Sequence, residues 1–461
     1  MRLLVSVAMF FWLVSKPVPA AEQAPAASLT LAEVVASAAR NYPSVRVSQE
    51  QINAAAAGIR LARTAYLPRV DTLALVNRAT RNNVFGLLLP QSVIPSMSGP
   101  VIGSNNFGTA WGSAIGGLVS WEPFDFGLRR ANVSVAEAAR AQSAATLKRT
   151  EFEISTAAID AYLTLAAGQE TVRAAQAGVD RAETVARTTN ALVGAQLRPG
   201  ADQSRAEAEV AAARTQLIQA RQAVDVARAT LAQFISLDPS EISISSQGLL
   251  RLPADESPAS VDFHSNPLVG EQNATVEQAR AELKSLERSY FPEFSLQGAV
   301  YARGTGAEVN GDRLGGVNGL APNVQNYALG FSVTFPVMDL ASIHARQEAQ
   351  SATIRAQTAR AELIVTELRA RWNIALAQLR GARDIAGNTP VQIAAARAAS
   401  EQATARYQSG LSKIDQVAEA QRLLTQAEID DALSHLGVWR ALLGLATAAG
   451  DLQPFVMEAS K

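Results

Sequence analysis

The sequence predicts a mainly α-helical fold that carries a membrane-type β-sheet, built twice over from one unit of two strands and a pair of long helices. Three observations predict it. Asn41-Tyr42-Pro43 followed by Tyr66-Leu67-Pro68 recurs as Ser265-Asn266-Pro267 followed by Tyr290-Phe291-Pro292, with 25 positions between the prolines in each copy. Long stretches rich in Ala, Arg, Gln and Glu show helical and heptad spacing. After each Tyr-x-Pro the period changes to a two-residue alternation, the signature of a strand.

The register of the duplication fixes the order of the elements. Pro43 and Pro267 lie 224 positions apart, whereas Asp125 in Pro-Phe-Asp-Phe-Gly matches Asp339 in Pro-Val-Met-Asp-Leu at a spacing of 214. That spacing holds downstream, where Val210, Leu217, Val224 and Leu231 fall on Leu424, Asp431, Val438 and Leu445. The first copy therefore carries ten extra residues between Pro68 and Asp125. Repeats of this size are duplicated supersecondary units. The expected organisation is a leader at 1–20 and a first repeat at 21–235, in which short helices precede two strands and a long-helix pair. A connector at 236–265, a second repeat at 266–450 and a tail at 451–461 follow.

Residues 1–20 combine Arg2, an apolar run from Leu3 to Val14, and Val18-Pro19-Ala20 before Ala21, which reads as a secretory signal peptide. A spanning helix needs about 20 apolar residues, and Lys16 with two prolines argues against one here. No later apolar run is long enough to cross a bilayer as a helix. The chain has no cysteine, hence no disulfide and no thiol for lipid attachment. Its formal charge is −1, and −3 once Arg2 and Lys16 leave with the leader, so the basic footprint of a nucleic-acid binder is missing.

The first rod, from Leu128 to about residue 190, contains no proline. At 1.5 Å per residue, about 60 residues make a rod of about 90 Å. In the second, about 201–235, Val210, Leu217, Val224 and Leu231 recur every seven residues, with Ala213, Ala220, Ala227 and Phe234 three later. This is a coiled-coil seam whose small members allow close approach. The later copy repeats it with Ala420, Ala427, Ser434, Ala441 and Ala448, and Asp431 in a seam position predicts a wetter turn. The third rod, about 342–408, holds Gly387-Asn388-Thr389-Pro390, which predicts a kink or short break.

Among the strands, Tyr327, Leu329, Phe331, Val333 and Phe335 alternate with Ala328, Gly330, Ser332 and Thr334. Phe294, Leu296, Gly298 and Val300 repeat the pattern, as do Trp111, Ile115, Val119 and Trp121, while Val70 to Val76 is less regular. About ten residues per strand suits a tilted bilayer crossing, although alternation alone also suits a soluble sheet with one buried face. Four strands cannot close a membrane barrel, which starts at about eight. Three chains would supply about twelve strands, with their helices continuing the wall as a tube.

At this point the mature chain resembles the TolC-like outer-membrane efflux proteins over nearly its whole length. The resemblance rests on Tyr42-Pro43 and Asn266-Pro267, Tyr66-Leu67-Pro68 and Tyr290-Phe291-Pro292, Pro123-Phe124-Asp125-Phe126-Gly127, and Gly410-Leu411-Ser412-Lys413-Ile414-Asp415 with Glu419-Ala420-Gln421. It implies a homotrimeric channel-tunnel: a shared twelve-stranded β-barrel in the outer membrane, in contact with its lipid, and an α-helical periplasmic tunnel. It further implies docking onto a periplasmic adaptor protein and an inner-membrane pump, as the passive exit duct of a tripartite efflux or secretion system.

The turns remote from the strands, around Val193 to Asp202 and Ser409 to Asp415, are where such a tube would close. Asp415 and Glu419 are four apart on one helical face and would form two rings of three carboxylates in a trimer. The resemblance implies aperture carboxylates in this stretch. Glu419 takes the acidic place before Ala420-Gln421, whereas Gln416 stands where a second acid is expected and Asp415 is its substitute. The plain alternative is a helix cap at Asp415 and a solvated face at Glu419. Arg198, Arg205 and Lys413 are candidate latch partners. Val193, Gly194, Gly410 and Leu411 are candidate adaptor-contact tips, with glycine also suited to simple C-capping. Gly194 to Ala206 spans 12 positions against 10 from Gly410 to Ala420, which predicts unequal turns. The stretch from Asn82 to Asn106, including Val84 to Pro90, accounts for the ten-residue excess and is expected at the outer surface.

No enzyme is expected. His264, His344 and His435 are scattered without metal spacing, and no cofactor or metal motif is present. Gly304-Thr305-Gly306-Ala307-Glu308-Val309-Asn310-Gly311 lacks the strand-to-helix context of a nucleotide loop and reads as a flexible connection between strands. The competing reading is a secreted or periplasmic coiled-coil structural protein without a pore, which explains the heptads but not four membrane-length strands.

Overall fold

The computed structural model describes residues 28–80, 108–245, 247–253, 261–308, 312–335 and 337–460. The expected leader at 1–20 and the outer loop at 82–106 lie outside the described residues. In chain order the elements are α1 (Leu31–Asn41), α2 (Pro43–Thr64), β1 (Arg69–Thr80), β2 (Thr109–Phe124), α3 (Leu128–Gly194), α4 (Gly200–Ile235), α5 (Pro267–Arg288), β3 (Glu293–Thr305), β4 (Val324–Thr334), α6 (Leu340–Gln408), α7 (Ile414–Ala449) and α8 (Gln453–Ala459). The two copies correspond closely in length: α2 and α5 are both 22 residues, α3 and α6 are 67 and 69, and α4 and α7 are both 36. Proline opens α2 and α5 at a position whose amide has no helical partner.

Leu217, Val224 and Leu231 with Ala220, Ala227 and Phe234 are buried along α4, as the heptad seam requires. In α7, Asp431 does make its turn polar: its carboxylate accepts a 2.7 Å hydrogen bond from Thr389 Oγ1 of α6. The expected break at Pro390 is not there, and α6 runs unbroken past it. Proline leaves the Ala386 carbonyl without its amide donor, but the Thr389 hydroxyl lies 3.5 Å from that oxygen. Ala375, Leu379 and Ala386 pack against Val438, Ala441 and Leu445 of α7, so tertiary packing overrides one missing bond.

The sheet has the order β1-β2-β3-β4 with every neighbour antiparallel, and β1 and β4 are open edges among the described residues. Its register sorts the side chains into two faces. Val70, Ile115, Val119, Trp121, Leu296, Val300, Leu329, Phe331 and Val333 share one, while Asp71, Asn77, Gln297, Arg303, Asn326 and Ser332 share the other. Leu73 and Leu75 fall on the polar face, which is why β1 reads as less regular. Phe124, Phe126, Phe291, Phe294 and Phe331 form a connected aromatic group at the helical end of the sheet. From Trp121 to Trp111 the strand climbs about 33 Å, or roughly 25 Å when tilted, the height of an outer-membrane apolar band. Among the described residues no helix is long and apolar enough to cross a membrane.

The passage from β2 into α3 is a left-handed turn, with φ of 51° at Phe126 and 90° at Gly127. Asp125 holds it by accepting from the amides of Gly127 (3.1 Å) and Arg129 (2.6 Å) and from Arg129 Nε (2.8 Å). The Arg129 guanidinium also reaches the Ala65 carbonyl and lies 5.0 Å over the Tyr66 ring. The second copy has no such clamp: Ile343 stands in the place of Arg129, and Asp339 makes no side-chain cap bond. Burial pushes the Asp125 carboxyl up, but the bonds from Arg129 and Gly127 outweigh it and hold its pKa below the usual value. A depressed carboxylate contributes stability above its unfolded pKa, about 3.9, and loses it as pH falls through the folded value. Arg129→Ala is expected to cost about 3 kcal/mol near neutral pH by breaking a buried pair. Denaturant titrations at pH 7 and below pH 3 should show that cost shrinking in acid.

The main core lies midway along the rods, where α1, α3, α4, α7 and α8 meet around Tyr162, Ile159, Leu231 and Trp439. The Tyr162 hydroxyl sits 2.8 Å from the Ser245 carbonyl, and burial raises its pKa to about 12. At the same level Asn266 joins two helices. Its carbonyl oxygen caps α5 by accepting from the Leu268 amide, and its amide group donates to the Thr447 and Ala448 carbonyls at the end of α7.

Candidate functional site

Two five-residue turns, 195–199 and 409–413, lie at the ends of the helix pairs remote from the sheet. They close identically. The Leu197 amide donates to the Leu192 carbonyl and that of Gln196 to Val193; the Leu411 amide donates to Arg406 and that of Gly410 to Tyr407. Each is the paired-bond ending of a helix with one left-handed residue, here Gln196 (φ 60°) and Gly410 (φ 80°). The expectation of unequal turns is thus corrected. Val193 and Gly194 belong to the last turn of α3, and the two turns match residue for residue at a spacing of 214. Glycine was a misleading marker because a non-glycine residue can hold the left-handed position at a cost of about 1–2 kcal/mol. Gln196→Gly is therefore expected to raise local stability by about 1 kcal/mol and Gly410→Ala to lower it by a similar amount, read as amide exchange rates in the adjoining helix turns.

Leu197 and Leu411 occupy the same place in the two turns and are 69% and 71% exposed. Behind them sits Tyr407, in the last turn of α6 and only 1% exposed, packed with Ile414, Val417, Val185 and Leu192. The Arg198 guanidinium lies 4.4 Å over the Tyr407 ring and donates to the Tyr407 carbonyl. The Tyr407 hydroxyl donates to Asp202 Oδ2 at 3.1 Å. Burial raises the pKa of this hydroxyl, and the Asp202 carboxylate adds to the effect. The first turn is thereby fastened to the second helix pair.

A chain of charges runs alongside on α4 and α7. Arg205 bonds Glu209 (3.2 Å) and Asp415 (3.5 Å), Arg422 approaches the same Glu209 (3.9 Å), and Arg422 bonds Glu419 (2.8 Å). The Asp415 and Glu419 side chains are 67% and 60% exposed, so the links they make are surface pairs worth about 0–1 kcal/mol, while Glu209 between the two arginines is more covered. Both candidate aperture carboxylates are therefore exposed and each has an arginine beside it. Of the latch candidates, Arg198 and Arg205 meet the second helix pair, whereas Lys413 is exposed and has no ion-pair partner among the described residues. Further from the tip, Arg181 of α3 makes a two-pronged bond to Glu428 of α7 and a 2.8 Å bond to Thr425.

Sequence reasoning missed Tyr407, Asp202, Glu209, Arg422 and Arg181. A signal for two of them was available: Tyr407 and Asp202 correspond to Val193 and Gln416 in the other copy, so a duplicated position changes character where the first turn meets the second helix pair. Among the described residues no group of His, Asp and Glu is arranged to hold a metal ion.

A family model described as outer membrane efflux protein matches residues 34–236 and 263–451. The fold is similar to that of the Campylobacter jejuni CmeC outer membrane channel, at 15% identity over 94% of this chain and 89% of that one, with a TM-score of 0.71. It is also similar to the Neisseria gonorrhoeae MtrE outer membrane channel in its open state (20%, 91% and 89%, TM-score 0.67). The outer membrane protein VceC from Vibrio cholerae gives 16%, 91% and 96%, with a TM-score of 0.68. No curated protein matches the chain by sequence.

Proposed function

The chain belongs to the outer membrane efflux protein family, a family of channels, and from that premise we propose that three copies form the exit duct of a tripartite export assembly, closed at the paired helix turns. The observation that carries this reading is the four-stranded sheet with two open edges and one apolar face, standing on rods of about 100 Å. Three such sheets supply twelve strands, enough for a barrel. The helices continue the wall into the periplasm. Passage requires no bond-making, and the pump supplies selection and energy.

In the closed state Tyr407, Arg198 and Asp202 fasten the two turns of each protomer, with the chain from Asp415 through Arg205 and Glu209 to Arg422 and Glu419 as a weaker outer tie. Asp415 and Glu419 line the aperture as two acidic rings whose arginine partners are exchanged or released on opening. The adaptor meets the tips, Val193, Gly194, Gly410 and Leu411, with Leu197 as the first turn's counterpart of Leu411. Their exposed leucines offer six apolar points per trimer. A pore-free rod accounts for none of the apolar sheet face.

The test is single-channel conductance of the purified trimer in planar bilayers, with Asp415→Ala/Glu419→Ala beside the unaltered protein. Removing six carboxylates is expected to lower the preference for cations over anions. Unchanged selectivity would move the constriction elsewhere, and absence of conductance from inserted protein would overturn the channel.

A further inference from the structure

The connection from β3 to β4 was expected to be a flexible loop, but its described part is fastened to the sheet. The Gly306 amide donates to the Trp111 carbonyl (2.8 Å), the Leu314 amide to Gly306 (2.8 Å) and the Asn323 amide to Arg303 (2.9 Å). Three glycines make the close approach possible. A Cβ on Gly304 would stand 2.3 Å from the Ala321 carbonyl oxygen, and one on Gly306 2.4 Å from that of Asn318. Gly319 has φ of 88°, and its Cβ would stand 2.3 Å from the Trp111 carbonyl oxygen. Backbone this close to backbone leaves no room for any side chain.

The side on which the segment lies follows from the register. Gly304 pairs with Ser113 and shares the face of Val300 and Leu329, the apolar one, so residues 318–321 cross over that face. Its height follows from Trp111, the aromatic residue at the upper limit of the apolar band, where Arg78 stacks 5.3 Å from the indole and bonds Thr109. At that level the segment exposes Leu314, Val317 (73%) and Leu320, and lower on the same face the strands expose Val300 and Tyr327. Three exposed apolar side chains on a segment fastened over the apolar face at the height of an interfacial tryptophan match the headgroup boundary of a bilayer.

We propose that residues 312–323 form a saddle that dips Leu314, Val317 and Leu320 into the outer leaflet and fixes the depth of the barrel in the membrane. This rests on the barrel reading above. Because the chain lacks cysteine, single labels are clean. The full-length Val317→Cys and Leu329→Cys variants, each carrying an environment-sensitive NBD fluorophore, are reconstituted into phosphatidylcholine/phosphatidylglycerol vesicles with acyl chains brominated near the glycerol or near the methyl end. The position-317 probe should be quenched mainly by the shallow bromines, and the position-329 probe, inside the apolar band at the level of Val119, more by the deep ones than 317 is. Adding Gly319→Ala should abolish quenching at 317 and leave 329 unchanged. Quenching at 329 without any at 317 overturns the saddle and leaves the barrel standing, and quenching that survives Gly319→Ala overturns its fastening. Quenching at neither position sinks the barrel reading and the saddle with it.

Discussion

Replacing Tyr407 with alanine is expected to open the tip, raising the open probability in planar bilayers by about tenfold or more while leaving the fully open conductance unchanged. The ring is buried between Ile414, Val417, Val185 and Leu192, and deleting a buried aromatic costs about 3–5 kcal/mol. Only 1.4 kcal/mol of the closed state's advantage is needed for a tenfold shift. Tyr407→Phe keeps the ring and loses only the bond to Asp202, about 1 kcal/mol, so its effect should stay below tenfold. Arg198→Ala should fall between them, since it removes the contact over the ring. Arg205→Ala should move the gate least, because the Arg205 side chain is itself half-exposed and its partner Asp415 more so. An Arg205→Ala leak as large as that of Tyr407→Ala would mean that the outer charge chain, not the aromatic contact, holds the closed state. The pH dependence follows from the raised Tyr407 hydroxyl. A phenol whose folded pKa is raised contributes stability below its unfolded value, about 10, and loses it as pH rises through the folded one. The latch should therefore be indifferent to pH between 6 and 9.

The scaffold was legible in the sequence because duplication writes the same physical demands twice. Pro43 and Pro267 mark two helix starts, and the seam from Val210 to Leu231 reappears at Leu424 to Leu445 with its polar turn at Asp431. What stayed hidden depends on contacts between the copies. Arg181 and Glu428 lie 247 positions apart, and no local pattern announces their pairing. Two local rules also gave wrong weight. Gly194 looked like the turn because glycine favours left-handed backbone, yet Gln196 takes that conformation. Pro390 looked like a break, yet packing along α7 carries the helix through it. The functional asymmetry sits where the copies disagree: Tyr407 against Val193, Asp202 against Gln416, and Arg129 against Ile343. A comparison of the two copies position by position would have drawn attention to the latch before any contact was known.

The same comparison leads to a second large expected effect, this one on the junction at Asn266. Its counterpart, Tyr42, stacks on Phe234 with ring centroids 5.4 Å apart and makes no side-chain cap bond, so the first copy ties its short helix to its long one through apolar contact. The second copy uses one buried amide for three bonds. Asn266→Ala removes a helix cap worth about 1 kcal/mol and leaves two carbonyls without their donor at about 1–3 kcal/mol, for an expected loss of about 2–4 kcal/mol. Repacking cannot rescue it, since Gly450 closes the site with φ of 86° and no space for a Cβ. Asn266→Asp keeps the cap acceptor but sets a carboxylate against two carbonyl oxygens, which raises its folded pKa. Its stability should then recover in acid, below the unfolded value of about 3.9, and fall as pH rises. Denaturant titrations followed by far-UV circular dichroism measure both, and a loss below about 0.5 kcal/mol for Asn266→Ala, the range of ordinary surface changes, would remove the junction from any structural role. The site also separates stability from gating. Asn266 lies at one end of α7 and the latch at the other, about 54 Å away for 36 residues. Asn266→Ala should lower the unfolding midpoint without changing open probability, whereas Tyr407→Ala should change open probability as well, because the first anchors the rod and the second holds its free end.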